Sequence, residues 1–308
     1  MNRDTYKATI LLLCSTLCYG SVPIFLRYLS SHIDPWTVNG IRYSVSAFFW
    51  LPFVIINRNW GSEGIKKGSA WKDALIPSLI NFIGQITWGL SPYFIPASLV
   101  GFLVRVAFLF TIIFGFMVIP EERTLGKNKN FYLGAFLCIV GTLALAWINL
   151  KNNGHGSLFG IILILATAVF WGGYAVSVRK YMAPYPVRLS FGIISIYTTA
   201  GLVVLMLLFG NLKTLGQIGS TNWLYLIVSG FFGVAISHVL YYKGIHKLGP
   251  IVANGVMMAT PFITYLGAWL ILGERLTLIQ FFGGITIVLG GIILVIAKSQ
   301  VQKVHVNN

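Results

Sequence analysis

Long apolar runs separated by short polar links dominate the sequence of this 308-residue chain. A helix needs about 20 mostly apolar residues to cross roughly 30 Å of hydrocarbon, because each residue advances it by about 1.5 Å. The runs are continuously apolar rather than alternating, which favours helices over the strands of a membrane barrel. We number the ten predicted spans 1 to 10, with approximate limits 8–29, 36–56, 73–93, 97–119, 130–149, 157–178, 189–210, 222–242, 250–272 and 277–297.

Composition supports this pattern, since 56% of the residues are hydrophobic and only 9% are charged. A soluble domain carries about 25% charged residues. The abundance of aromatic residues (22 Phe, 14 Tyr and 9 Trp) also excludes a disordered chain. We therefore expect an all-α membrane protein with ten transmembrane helices, located in the cell membrane as a multi-pass protein.

The net charge of +15 is explained by topology rather than by a nucleic-acid partner. Lys and Arg concentrate in cytoplasmic segments of membrane proteins. With both termini in the cytoplasm, sixteen of the 22 basic residues fall in inner segments and four in outer ones. The remaining two, Arg42 and Arg105, lie within spans.

The two halves of the chain, 1–150 and 151–308, repeat each other. A shift of 152 positions places Gly20 on Gly172, Arg27 on Arg179, Gly115 on Gly267 and Glu122 on Glu274. Because each half contains five spans, the second copy must cross the membrane upside down. Inverted repeats are typical of alternating-access transporters, whose substrate site lies between the copies. A duplication retained only for packing is the alternative.

Several motifs resemble the EamA-type module of the drug/metabolite transporter superfamily, once in each half. They are Leu272-Gly273-Glu274-Arg275-Leu276-Thr277, the pairs Gly283-Gly284 and Gly290-Gly291, Arg42-Tyr43, and Glu122-Arg123-Thr124. The resemblance implies a ten-helix transporter of small metabolites, often an exporter of amino acids or related compounds. It also implies a cavity lined mainly by helices 1, 3, 4, 6, 8 and 9. The first half departs from the module at Leu109, which stands where the second half has Pro261.

Arg105 is the most unusual residue of the spans, because it lies about eight residues into span 4 with no acid in a neighbouring span. A charge at that depth is costly and usually faces a pathway. Its guanidinium is suited to a substrate carboxylate or phosphate. Binding to helix-end carbonyls is the alternative. For Arg42, which falls on a module position of the family, we expect mainly this structural role.

All seven acidic residues lie at span ends or in links, so a buried carboxylate relay is absent from the sequence. Glu122 and Glu274 are repeat counterparts, and each precedes an arginine. A local salt bridge or a helix N-terminal cap is expected, with gating as the alternative. Pro261 is assigned to the same structural or gating group.

His238 is the only histidine well inside a span. Its unperturbed pKa lies near neutrality, so it is a candidate for coupling transport to protons or for a hydrogen bond to the substrate. A satisfied hydrogen bond between helices is the equal alternative. Other candidates for the cavity lining are polar or aromatic, as suits a small organic ligand, although each can equally serve packing. They are Tyr19, Gln85, Trp88, Trp171, Tyr174, Tyr241, Asn254 and Met258.

Enzyme chemistry is not expected, because the sequence has no nucleophile elbow, P-loop, zinc-protease or CxxC motif. Cys14, Cys18 and Cys138 have no His or acid near them in sequence, so we expect no metal and no cofactor. The glycine pairs of spans 5 and 10 permit close helix contact within the chain or in a homodimer.

The leading hypothesis is an exporter of amino acids or related compounds. The alternative is uptake or exchange of an anionic metabolite through Arg105, and a channel or an intramembrane enzyme is remote.

Overall fold

The computed structural model describes residues 3–57, 69–118, 125–153, 155–244 and 256–306, and these ranges contain helices but no strand. We number the main helices α1 to α10, after the predicted spans. They are α1 Arg3–Leu29, α2 Pro35–Ile56, α3 Leu75–Leu90, α4 Ala97–Val118, α5 Lys129–Asn153, α6 His155–Tyr181, α7 Val187–Phe209, α8 Ser220–Gly244, α9 Thr260–Leu272 and α10 Leu278–Val306. Short helical turns precede α3 at Ser69–Asp73 and follow it at Ser91–Tyr93.

Eight of these helices are long and apolar enough to cross a membrane, and they make the chain a multi-pass integral membrane protein. The other two, α3 and α9, have 16 and 13 residues. Span 9 is predicted to start at residue 250, which lies outside the described residues, so ten crossings and cytoplasmic termini stay predictions. Large apolar side chains such as Phe48 and Leu278 are 81% and 76% exposed, as expected for a surface that faces lipid.

Helices α5 and α10, which are repeat counterparts, pack closely and antiparallel. Gly134 of α5 lies against Gly290 of α10, and Gly141 lies against Gly283, so the residue number falls on one helix as it rises on the other. Small residues allow backbones to approach this closely within a membrane. The sequence left open whether these glycines make contact within the chain or in a homodimer, and the structure shows contact within the chain.

The same antiparallel relation holds for two further pairs of counterparts, α2 with α7 and α4 with α9. Ser46 Oγ of α2 lies 3.0 Å from Ser195 Oγ of α7, while Thr199 Oγ1 donates to the carbonyl of Tyr43. The remaining helix contacts also occur in matched sets: α1 packs on α9 as α6 packs on α4, and α3 packs on α7 as α8 packs on α2. An inverted repeat requires this arrangement of contacts.

Three helical irregularities lie between the ends of this bundle, and the hydrophobic pattern did not predict them. Helix α4 tightens to a 3₁₀ turn at Val104–Val106, and α8 widens to a π-helix at Phe231–Ile236. A turn at residues 258–259 separates the helical residues 256–257 from α9, which starts at Thr260. Such departures release backbone carbonyls from the helical ladder, and these carbonyls need partners within the protein at membrane depth. Trp50 Nε1 donates to one of them, the carbonyl of Ala235, at 3.1 Å.

The contact between α5 and α10 predicts different costs for two glycine substitutions in the same helix pair. A Cβ on Gly141 would lie 2.6 Å from the carbonyl oxygen of Gly283, whereas a Cβ on Gly283 would lie 3.4 Å from its nearest neighbours. We expect Gly141→Ala to destabilise the purified protein by about 1–3 kcal/mol, as overpacking does. Gly283→Ala is the matched control and is expected to change thermal stability much less. Equal stability of the two variants would contradict the packing.

Candidate functional site

A small cavity lies between the two halves of the bundle, and helices of both halves line it. Its volume of about 20 Å³ is close to the space that one water molecule needs. Helices α1, α2 and α3 contribute from the first half, and α6 and α8 from the second. The described lining residues are Tyr19, Val22, Arg42, Tyr43, Gln85, Trp88, Trp171, Gly233, Val234 and His238.

Five residues of the predicted substrate site meet in this cavity. They are Tyr19, Gln85, Trp88, Trp171 and His238. Arg42, for which the sequence indicated a structural role, is a sixth lining residue. Sequence reasoning missed Tyr43 and the backbone stretch around Gly233, although Tyr43 adjoins Arg42 in the module motif and was available as a signal.

Aromatic rings, including that of His238, belong to five of the ten described lining residues. The ring centroids of Trp88 and Trp171 lie 4.8 Å apart with a tilt of 39° between the planes. Tyr19 meets His238 edge to face at 5.1 Å, and the ring of Phe191 stacks on the other side of His238 at 4.6 Å. Rings held by neighbouring rings in this way form a firm apolar wall, which suits a compact organic ligand.

The π-helix of α8 positions His238, which is only two residues beyond its end. The Nδ1 atom of His238 lies 2.9 Å from the carbonyl oxygen of Val234. Since that carbonyl can only accept, Nδ1 must carry the hydrogen, and Nε2 of the neutral ring is then an acceptor. His238 therefore makes a hydrogen bond within its own helix and still lines the cavity with its ring.

Arg42 lies on α2, and α8 approaches it closely because two glycines face it. A Cβ on Gly230 would lie 2.7 Å from the carbonyl oxygen of Arg42, and one on Gly233 would lie 3.6 Å from Arg42 Nη2. The side chain is 1% exposed. Its Nε donates to Ser229 Oγ at 3.0 Å, and Nη2 reaches the carbonyl oxygen of Ser229 at 3.5 Å. Arg42 thus holds the backbone at the start of the π-helix while it faces the cavity.

Arg105 is not among the described residues that line the cavity. It lies in the 3₁₀ turn of α4, and its Nη1 donates to the carbonyl oxygen of Met257 at 3.4 Å. Met257 is the repeat counterpart of Arg105, being 152 positions further along the chain. The same carbonyl accepts from Thr260 Oγ1 at 2.7 Å. Arg105 therefore joins the irregular segments of α4 and α9.

The other predicted site residues lie elsewhere. Tyr241 is 6.3 Å from Tyr19 between ring centroids, and Tyr174 accepts a hydrogen bond of 3.3 Å from the hydroxyl of Tyr242. Met258 packs against Gly291 of α10, which leaves it among the helices rather than in the described cavity wall. Pro261 is buried in the first turn of α9, where its missing N–H costs nothing. Asn254 and Glu122 lie outside the described residues.

Glu274 caps a helix of the opposite repeat. Its carboxylate accepts from the N–H groups of Ala97 and Ser98 at 2.9 and 3.0 Å and from Ser98 Oγ at 2.8 Å. These N–H groups begin α4, where the helix dipole favours a negative charge. Gly273 allows the Glu274 carboxylate to contact the start of α4, because its φ of 66° turns the chain sharply at the end of α9.

Further contacts join elements at this end of the bundle, which we call the Glu274 end. Arg27 lies 3.8 Å from Glu274 and donates from Nη1 to the carbonyl oxygen of Pro92 at 2.7 Å. Tyr93 donates to the carbonyl oxygen of Ile33 at 2.7 Å. The links between α1 and α2 and between α3 and α4 are therefore tied together next to the cap.

The cap predicts that Glu274 and its neighbour Arg275 differ in their contribution to stability. We expect Glu274→Ala to lower the free energy of unfolding by about 1.5–3 kcal/mol, since three donors lose a charged acceptor. Arg275 is exposed and is the matched control, so Arg275→Gln should have little effect. Thermal unfolding of the purified variants measures both. A local pair between the two residues would instead give similar losses.

Comparisons with known proteins agree with this architecture. In Bacillus subtilis (strain 168), the protein named "Uncharacterized transporter YcbK" is 27% identical over 311 residues, which cover 98% of this chain and 95% of that protein. An "Uncharacterized transporter" of Haemophilus influenzae is 25% identical over 203 residues, or 61% of this chain and 66% of the relative. A solved structure titled "Crystal structure of protein" has a TM-score of 0.65 at 17% identity, covering 94% of this chain and 97% of its own, and so shares the fold.

The profile of the EamA-like transporter family matches two segments, 6–147 and 158–297. Together they cover most of the chain and confirm the resemblance to a protein with two EamA-type modules. The relatives carry the name of transporters without a substrate, so they support membrane transport and leave its cargo open. The chain belongs to the EamA-like transporter family.

Proposed function

We propose that this protein is a secondary transporter that exports amino acids or related small metabolites by alternating access. The observation that carries the proposal is the cavity between the repeats. Helices of both halves line it, and one of them, α2, packs antiparallel to its counterpart α7. In transporters built from two inverted repeats, the repeats move against each other around a central site. This movement opens the site first to one side of the membrane and then to the other.

The size of the cavity fits a step in which the site is closed. Space for about one water molecule does not hold an amino acid, so helices must separate before a substrate enters. At the Glu274 end, opening requires the cap on α4 to release. A charged cap can break and re-form within a transport cycle, because water compensates the carboxylate when the site opens. In this proposal Glu274 acts as part of a gate.

A second candidate function is uptake or exchange of an anionic metabolite that binds Arg105. One observation favours it: Nε of Arg105 is buried and has no hydrogen-bond partner in the described part of the chain. A substrate anion that reached this atom would neutralise a charge at membrane depth. The bond from Arg105 to Met257 would then loosen when α4 and α9 move apart.

The two candidates predict different results in a transport screen with proteoliposomes. The panel contains amino acids, dicarboxylates, nucleotides and cationic drugs. For the proposed exporter we expect saturable flux of amino acids with accelerated exchange from the opposite side. Absence of amino-acid flux, with flux of another class, would contradict this proposal.

Arg105→Gln separates the candidates. If the substrate anion binds Arg105, carboxylate flux should fall about tenfold or more, as expected for loss of a charged hydrogen bond. Arg188→Gln, which removes an exposed arginine, is the control. Unchanged carboxylate flux in Arg105→Gln would dismiss the Arg105 candidate.

Protons are the proposed coupling ion, with His238 as the exchanging group. We expect His238→Ala to abolish the response of flux to an imposed pH gradient while substrate exchange without a gradient continues. Phe191→Leu, which alters the ring packed on His238, is a control for packing alone. Full retention of the pH-gradient response in His238→Ala would remove His238 from the coupling mechanism.

A further inference from the structure

The positive charge of Arg42 is not compensated in the described part of the protein. The one ion pair found there joins Arg27 to Glu274 at the Glu274 end. The hydrogen bonds from Arg42 go to a neutral serine hydroxyl and to a backbone carbonyl, both of Ser229. A guanidinium that is 1% exposed is expensive to bury without a counter-charge.

Arg42 also keeps an unused donor. Its Nη1 is buried and has no hydrogen-bond partner among the described residues. Since Arg42 lines the cavity, a ligand in the cavity is the natural source of an acceptor. A donor left unpaired in a dry site costs about 1–3 kcal/mol, and more when it is charged, so such a position favours any ligand that pairs with it.

Trp171 supplies a second unpaired donor to the same cavity. Its Nε1 is buried without a partner in the described ranges, and an indole nitrogen can only donate. The backbone of α3 passes close by, because a Cβ on Gly84 would lie 3.0 Å from this nitrogen. Two donor-only groups therefore border one cavity from opposite repeats, Arg42 on α2 and Trp171 on α6.

We propose that Arg42 binds the carboxylate of the transported substrate in this cavity, with Trp171 Nε1 as a second donor to the bound molecule. The inference rests on the proposed transport function and specifies its substrates, which are compounds with a single carboxylate. It moves the anion site from Arg105, which is not among the described residues that line the cavity, to Arg42, which lines it.

Charge and geometry favour a carboxylate over a phosphate. One guanidinium compensates one negative charge, whereas a phosphate ester brings up to two charges at neutral pH. The second charge would remain buried, because the described lining residues include no other arginine or lysine. A planar guanidinium also matches a carboxylate in geometry.

The rings of the wall select the rest of the substrate. Trp88, Trp171 and Tyr19 offer apolar faces to a compact body. An α-amino group is compatible, because aromatic faces attract ammonium ions and no acid is needed for that contact. Amino acids with apolar side chains and simple monocarboxylates thus share the proposed mode of binding.

Binding of matched acids and amides to the purified full-length protein tests the inference. The pairs are L-leucine with L-leucinamide and 4-methylpentanoate with 4-methylpentanamide, and inorganic phosphate is added as a rival anion. Apparent affinities follow from the shift of thermal unfolding with ligand concentration. We expect the wild type to prefer each acid over its amide by about tenfold or more, in line with a charged hydrogen bond.

Arg42→Gln should reduce this preference to about one, whereas the exposed Arg188→Gln should retain it. Arg42→Lys, which keeps the charge but not the planar fork, should keep part of it. Trp171→Phe removes the second donor and keeps a ring, and it should weaken the preference without abolishing it. If Arg42→Gln does not fold, Trp171→Phe decides the question.

Three results would overturn the inference. The first is that acid and amide shift the thermal unfolding of the wild type equally, or that neither shifts it, and the second is that phosphate binds more tightly than the acids. The third is that Arg42→Gln, or Trp171→Phe where Arg42→Gln does not fold, keeps the wild-type preference for acid over amide. Failure of the transport function is a separate result. It would be seen as a retained acid preference in binding together with no flux of either acid in proteoliposomes.

Discussion

Polar groups at membrane depth must find their partners within the protein, and this constraint governs the structure. Regular helices meet it through their own ladders, but α4, α8 and α9 each leave the regular geometry near the centre. Side chains from other helices or from the same segment then bind carbonyl groups of these segments. Arg105 and Thr260 meet at the carbonyl of Met257, and Trp50 reaches that of Ala235. The irregular segment of α4 is thereby joined to the one before α9, and that of α8 is joined to α2, in each case across the two repeats.

Two residues that line the cavity have buried hydrogen-bond donors for which the described part of the protein provides no acceptor. These buried donors are Nη1 of Arg42 and Nε1 of Trp171, and the cavity that both residues line lies between the repeats. We propose that the substrate of this EamA-like protein binds in this space and supplies the missing hydrogen-bond acceptors. In the proposed transport cycle, the helices must separate before a substrate can enter a site of about one water volume. The contacts at Glu274 are suited to that step, because they join α9 of one repeat to the start of α4 in the other.

The sequence predicted the large-scale features of this fold because they depend on length and repetition. The apolar runs anticipated the helices, and the shift of 152 positions anticipated the repeat. The glycine pairs of spans 5 and 10 predicted close helix contact but left open whether Gly141 meets its own chain or a second copy. Helix irregularities were not predicted, since a continuous apolar run looks the same whether its helix is regular or broken. The direction of a side chain was harder to predict. The sequence favoured Arg105 for the substrate and a structural role for Arg42, whereas Arg42 is the one among the described cavity residues, because the rotation of each helix decides which side chain faces the cavity. Met258 is a similar case, because its contact with Gly291 depends on the packing of α10.

A structure of the protein with its transported substrate bound tests the central claim most directly. The account predicts that the substrate lies between the two repeats, with a carboxylate within hydrogen-bonding distance of Arg42 and Trp171 and its body against Trp88 and Tyr19. The two halves should have separated at one end to make room for it. A substrate bound away from Arg42, or one that carries no negative group toward this arginine, would contradict the account.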